Sequence, residues 1–453
     1  MEALKKAIDA FVNAFKIEDL RKKLLFTLAV LIIYRIGAHI TIPGVNSAIL
    51  GEYFRNSNNL FGLYDSFTGG AFAKATIFAL GIMPYISASI IIQLMGSVIP
   101  GIQMLQKEGQ EGRAKLNQYT RYFTVALSAL QGWGISVWLS NLKVTVASGA
   151  SLSVLADDFA SGTGNIGFRL LATLTFTAGT IFVMYLGEQI TSHGVGNGIS
   201  LIIFAGIVGG LPRAVLAETE MLKEGIQPLA IEIFILAMVV LIIGFIVFVE
   251  TANRRIPLQS PRRTLGNKVM GGQSSYLPFK VNTAGVIPVI FASCIMFIPA
   301  MIASWFPNVS VMQAFATAFI PGHLAYSVAD ALLIIFFTYF YTAIQYNPND
   351  IAENLKKSGG FIPGVRPGKQ TAEYIDHVLT RISLPGSLFL ALISVGPWYL
   401  KDALNMSFYI GGTSVLIVVG VALDTLRQLE AQLHTKNYEG FLKRGRIRGR
   451  MAS

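Results

Sequence analysis

Long apolar runs recur along the chain at about 23–40, 76–99, 119–139, 167–187, 198–215, 229–249, 284–305, 326–345, 380–399 and 409–426. Each is near the roughly 20 residues a helix needs to cross a bilayer, and polar residues collect between them, so the pattern predicts ten transmembrane helices. The second run is unusual. Residues 80 to 92 read Leu-Gly-Ile-Met-Pro-Tyr-Ile-Ser-Ala-Ser-Ile-Ile-Ile, with glycine, proline and two serines where a plain anchor would carry leucine. Such interruptions persist in a membrane where neighbouring protein or a water-filled cavity satisfies the freed backbone groups, so this helix faces something other than lipid.

The seventh run repeats the same pattern. Gly81, Pro84 and Ile86 are matched by Gly285, Pro288 and Ile290, in the second helix of each set of five. Five helices per half reverse the orientation of the second half, and matched interrupted helices mark the functional axis of an inverted repeat. The expected organisation is an N-terminal segment 1–22, halves 23–218 and 219–426, and a tail 427–453, with the hinge at 216–228. In residues 1 to 16, Leu4, Ile8, Phe11, Val12 and Phe15 stand opposite Lys5, Lys6, Asp9 and Lys16. That suits a helix lying in the membrane surface or a solvated cap on the first span. A signal peptide is not expected, since the first long apolar run starts only after Lys22-Lys23 and no small-residue cleavage site interrupts it.

Composition agrees: 53% of residues are hydrophobic and 13% charged, against roughly 25% charged in a soluble domain. Mean hydropathy is +0.56. The net charge of +11 would suggest a nucleic-acid partner in a soluble protein, but its distribution gives another reason. With both termini placed inside, 28 of the 36 Lys and Arg lie on the cytoplasmic side. Outside stand only Arg55, Lys74, Lys143, Arg169, Arg213, Lys223 and Lys401, while Arg35 ends the first span. This is the positive-inside asymmetry. Two cytoplasmic segments, 250–283 and 346–379, are longer than turns require. Their charge follows from that asymmetry alone; their length points to function.

Catalytic chemistry is missing from the pattern, so no enzyme, cofactor or metal is expected. His39, His193, His323, His377 and His434 are scattered, and no His-Glu-x-x-His pair exists. Gly368-Lys369-Gln370-Thr371 lacks the earlier glycine of a P-loop, Gly194-Val-Gly196-Asn-Gly198 lacks dinucleotide spacing, and Cys294 is the single cysteine. The middles of the spans carry no Asp, Glu, Lys or Arg; Glu188, Glu250, Asp330 and Asp424 fall near span ends. That argues against ion-coupled transport, although a secondary transporter of a small solute built on the inverted repeat stays as the alternative reading. Before the second span, Asn58 to Gly70 is too short to cross and ends in a Gly-Gly joint; it suits a re-entrant piece or a surface helix.

Together with the second span, Arg35-Ile-Gly37, Ser66-Phe-Thr-Gly-Gly70, Gln118-Tyr-Thr-Arg-Tyr122, Gly187-Glu-Gln-Ile-Thr191, Gly196-Asn-Gly-Ile-Ser200, Lys280-Val-Asn282, Asn354-Leu-Lys-Lys-Ser-Gly359, Pro363-Gly-Val-Arg-Pro-Gly368 and Gly411-Gly-Thr-Ser414 resemble the SecY family, the channel subunits of bacterial protein translocases. The resemblance covers nearly the whole chain. It implies an all-α membrane protein of ten transmembrane helices in two inverted five-helix halves, forming an hourglass channel with a plug and a lateral gate. Unfolded secretory polypeptides would cross the plasma membrane through the pore, and transmembrane segments would leave it sideways. By resemblance the pore ring falls on Ile82, Ile86, Ile199, Ile203, Ile290 and Ile417, and the plug on Leu60, Phe61, Leu63, Tyr64, Phe67, Gly69 and Gly70. Ser87, Gln93 and Asn282 would stand in the lateral gate, with a polar Gln93–Asn282 contact or separate partners as the two options. Arg254, Arg255, Lys268, Lys356, Lys357 and Arg366 would dock a motor or a ribosome, although Asn267-Lys268 stands where many relatives carry two basic residues. The implied partners are SecE and SecG subunits, the SecA ATPase motor, the translating ribosome with its RNA, signal sequences and nascent polypeptides, YidC and the lipid bilayer.

Overall fold

The computed structural model describes residues 15–56, 60–145, 151–156, 163–225, 228–259, 263–265, 268–270, 275–305, 319–320, 322–404 and 411–444. Most of the amphipathic 1–16 segment, the end of the tail and part of the long segment 250–283 lie outside them. In chain order the helices are α1 (Glu18–Gly37), α2 (Ser47–Asn56), α3 (Leu60–Thr68), α4 (Met83–Val98), α5 (Pro100–Lys107), α6 (Gln110–Asn141), α7 (Thr163–His193), α8 (Gly198–Lys223), α9 (Leu229–Thr251), α10 (Ile287–Trp305), α11 (Leu324–Gln345), α12 (Pro348–Lys357), α13 (Lys369–Leu404) and α14 (Gly412–Arg444). Short antiparallel ribbons join β1 (Lys143–Thr145) to β2 (Ser151–Ser153), β3 (Asn253–Leu258) to β6 (Ser275–Lys280), and β4 (Arg263–Leu265) to β5 (Lys268–Met270).

All ten apolar runs carry helices, with altered ends. Five helices, α7, α9, α11, α13 and α14, are long and apolar enough to cross a membrane unaided; α4 with α5 forms a span broken by a 104° bend. The others are α1, α6 and the apolar parts Gly198–Pro212 of α8 and Ile287–Pro299 of α10. The second span starts at Met83 rather than 76, because residues 76–82 run in tight turns. The ninth starts at Lys369 instead of 380, so α13 stands several turns out of the bilayer. The tenth runs on through the expected tail to Arg444. The expected hinge is also largely helical: α8 reaches Lys223, Gly225 follows at φ +69°, and residues 226–227 lie outside the described set.

Local chemistry accounts for several ends. Glu18 and Asp19 open α1 and Arg35 closes it, each charge opposing the helix dipole at its terminus. Asn197 caps α8, its side chain accepting from the amides of Ile199 and Ser200 at 3.1 and 3.4 Å. The main core runs through both halves, from Val30, Tyr34 and Phe78 to Ile290, Phe337 and Leu416. In it α10 packs against α3, α4 and α6, while α8 packs against α14. Most large apolar side chains of α9 are exposed on the outside of the bundle, as a lipid-facing span requires.

Candidate functional site

The axis is built by two matching helix starts. Gly81 and Gly285 both take left-handed backbone, at φ +53° and +64°, and two residues later α4 and α10 begin with Pro84 and Pro288 in their first turns. Glycine supplies the sharp turn and proline suits a first turn, where its missing N–H would have had no helical acceptor. Each half thus starts a helix at a glycine turn followed by proline.

Between these starts lies a small apolar cavity lined by Tyr34, Phe67, Thr68, Gly81, Ile82, Met83, Ile86, Ile202, Ile203 and Ile290. About 10 Å³ of it is open to the centre of a water molecule, room for at most about one water. An apolar constriction of this size excludes a hydrated ion by dewetting. Four of the six residues expected in a ring, Ile82, Ile86, Ile203 and Ile290, meet here. Ile199 and Ile417 do not. A side-chain carbon built at Gly187 of α7 would lie 3.3 Å from Ile199 Cγ1, so Ile199 leans towards α7. Ile417 is fully buried in the core away from the cavity. Ile202, next along α8, lines it instead, together with Met83 and Tyr34. Side-chain type could not single these out, since isoleucine and methionine also fill cores and face lipid.

Helix α3 closes one side of the constriction. Tyr64 and Phe67 are buried, and Phe61 is half-buried. The Tyr64 hydroxyl donates to the Leu80 carbonyl at 2.6 Å, and its ring stacks on Phe297 of α10 at 4.4 Å. Phe61 meets Trp138 of α6 at 4.6 Å. Leu60 and Leu63 lie on the same helix. The chain leaves α3 through Gly69 and Gly70, both left-handed at φ +67° and +88°. Asp65 ties this exit, accepting from the Ala73 amide at 2.7 Å through its side chain and from the Gly70 amide at 3.1 Å through its carbonyl.

Along the seam between α4 and α10, Cys294 donates to Met83 Sδ at 3.6 Å and hydrogen-bonds Ser87. Gln93 and Asn282 are not joined. Gln93 donates to Ser89 at 3.1 Å within its own helix. Asn282 is buried at the foot of α10, donating to Glu250 Oε1 at 2.5 Å and to the Gly285 carbonyl at 3.1 Å. A larger polar cavity of about 430 Å³ opens there, between Asn197, Ser200, Glu250, Lys280, Asn282, Asp424 and Arg427.

The two long segments between spans form one unit. The Gln259 amide donates to the Phe361 carbonyl at 2.9 Å and the Phe361 amide returns the bond at 2.9 Å. Beneath that bridge, Ile256, Phe279, Ile362, Ile375 and Leu379 make a separate core. Arg254, Arg255, Lys356, Lys357 and Arg366 are exposed on it. Arg255 lies 4.9 Å over the Tyr276 ring, and Lys357 pairs with Glu353 at 2.9 Å. Arg366 stands in a turn between left-handed Gly364 and Gly368, its carbonyl accepting from Thr371 at 2.9 Å. Lys268 lies in β5. An ion pair with no signal in the residue pattern joins Arg121 of α6 to Glu188 of α7 through two bonds of 2.7 and 2.8 Å.

A family model described as SecY matches residues 76–426, taking in the constriction, the seam and both long segments between spans. The chain belongs to the SecY family. Among SecY proteins it is 47% identical to the protein translocase subunit SecY of Streptomyces scabiei, over 96% of this chain and all of that one. It is 45% identical to the subunit of Pseudomonas aeruginosa, over 98% and 97%, and 44% identical to that of Escherichia coli K12, over 95% and 96%. Solved structures share the SecY fold. One described as the structure of a protein conducting channel superimposes with a TM-score of 0.67 at 17% identity, covering 93% of this chain and 95% of that one. Sec61 in a canine ribosome-channel complex from the endoplasmic reticulum gives 0.62 at 16% identity, with the same coverage. The chain is a multi-pass membrane protein of a protein-translocation channel family and not an enzyme, with the expected ten-helix channel fold.

Proposed function

We propose that this chain conducts unfolded secretory polypeptides out of the cytoplasm across a bacterial plasma membrane, and that it releases transmembrane segments sideways between α4 and α6 on one side and α10 and α11 on the other. The observation that carries this reading is the apolar constriction between two matched helix starts, stopped on one side by α3. Charged side chains cost about 2.5 to 3.5 kcal/mol each in the bilayer, so an exported chain needs an aqueous path, whereas a signal sequence gains by entering lipid. A pore that opens both along its axis and through its wall meets both needs.

In this reading both termini are cytoplasmic and α3 is the plug. Ile82, Ile86, Ile203 and Ile290, with Ile202, form the seal, to which Ile199 and Ile417 contribute as the pore widens. Ser87, Gln93 and Asn282 lie along the gate. Arg254, Arg255, Lys268, Lys356, Lys357 and Arg366 receive the SecA motor or the RNA and protein of a translating ribosome, since guanidinium groups suit phosphates and carboxylates alike. SecE and SecG complete the channel, and YidC receives released segments. The small-solute transporter is not favoured, because the constriction holds no polar group other than Thr68 and the Tyr34 hydroxyl to bind a solute. Reconstitution into vesicles with SecE, SecG, SecA and ATP tests the reading: a signal-bearing preprotein should become protease-protected. Preprotein left accessible under conditions that support a control translocase would overturn it.

A further inference from the structure

Arg35 lies in the last turn of α1, beside the joint that follows α3. Its Nη1 points at the carbonyl of Gly69, 3.5 Å away, where α3 ends. The guanidinium lies where two residues beside it, Gly69 and Gly209, lack side chains. A methyl group added at Gly209 of α8 would overlap Nη2 and Cζ, and one at Gly69 would stand 2.7 Å from Nη1 while overlapping the Gly206 carbonyl. A methyl group at Gly206 would overlap the Phe67 carbonyl. Glycine at 69 is further required by its left-handed backbone. Three elements, α1, α8 and the plug joint, are thus fitted around one cation. A cation at this depth is costly unless polar groups surround it. The Gly69 carbonyl supplies one such group and the negative end of α1 a second.

We infer that Arg35 is the latch of the plug: its guanidinium holds the Gly69 joint against α8, and opening requires that bond to break. The inference rests on the reading of α3 as a plug. Arg35 here is a positioning residue, acting through the joint and not on the polypeptide.

The test compares ion currents of resting channels in planar bilayers for wild type, Arg35→Gln, Gly209→Ala and a variant lacking residues 60–68. The two substitutions attack one bond from opposite sides, so if either fails to assemble the other still reports. Both should raise the open-to-closed ratio roughly threefold, as loss of a modest hydrogen bond does. Neither should add leak once residues 60–68 are gone. Tight channels in both substitutions alongside a leaky deletion would overturn the latch and leave the plug reading standing. Further leak from Arg35→Gln in the deletion background would assign Arg35 to helix packing and overturn the latch as well. A deletion as tight as wild type would overturn the plug reading and the latch with it.

Discussion

Tyr64 of the plug helix and Phe297 of α10 stack with ring centroids 4.4 Å apart. One residue belongs to the first half of the chain and the other to the second, so α3 ties the two halves together. If α3 is the plug, as proposed, this pair couples its position to that of α10.

Phe297→Ala should therefore weaken the closed state. Truncating a buried phenylalanine costs about 3 to 5 kcal/mol in a core, and part of that falls on the open-closed balance. Raised resting conductance, with translocation kept, is the expected result. Tyr64→Phe should act the same way but more weakly, by about 1 kcal/mol, since it leaves the Leu80 carbonyl without its hydroxyl donor.

The constriction seals by excluding water, so polarity and width there should set the leak. Replacing Ile82, Ile86 and Ile290 by serine should give a resting channel that passes ions, read as conductance in planar bilayers. Ile417→Ser should leak less than Ile203→Ser, because Ile203 lines the cavity and Ile417 does not.

Docking and sealing are separable in the structure. Arg366→Glu should abolish motor- or ribosome-driven export and leave resting conductance unchanged, since Arg366 is exposed in a turn of the cytoplasmic unit. Ile375→Ala, at the centre of that unit's own core, should lower its stability by about 2 to 5 kcal/mol, read as faster proteolysis of the cytoplasmic segments without added leak.

Close helix packing leaves no room for a methyl group at Gly179, where an added side chain would overlap the Ile77 carbonyl. Gly179→Ala should lower the temperature at which the detergent-solubilised protein aggregates, whereas Gly244→Ala, with open space around it, should not.

The spans were legible because hydropathy reports directly on lipid, and the matched helix starts because glycine and proline mark where the backbone turns. The start of α4 was not: residues 76–82 are as apolar as a helix, and only the left-handed Gly81 turns the chain there. The start of α13 was not legible either, since it continues into the second long segment on polar residues that hydropathy excludes. Which isoleucines meet at the constriction was only partly readable. Ile199 and Ile203 share a face on a helical wheel, yet the lean of Ile199 towards Gly187 comes from packing with α7. The Asn282–Glu250 bond joins residues on either side of the β3–β6 ribbon, a closeness that appears only once the ribbon folds.

The most direct test of a polypeptide path through this constriction is crosslinking. Cys294 is replaced by serine, and single cysteines are placed at Ile82, at Ile290 and, as a control, at exposed Leu241 of α9. A secretory polypeptide is then stalled halfway through the membrane. Crosslinks at Ile82 and Ile290 but not at Leu241 are predicted. With substrate engagement confirmed, an absence of crosslinks at Ile82 and Ile290 would contradict the account.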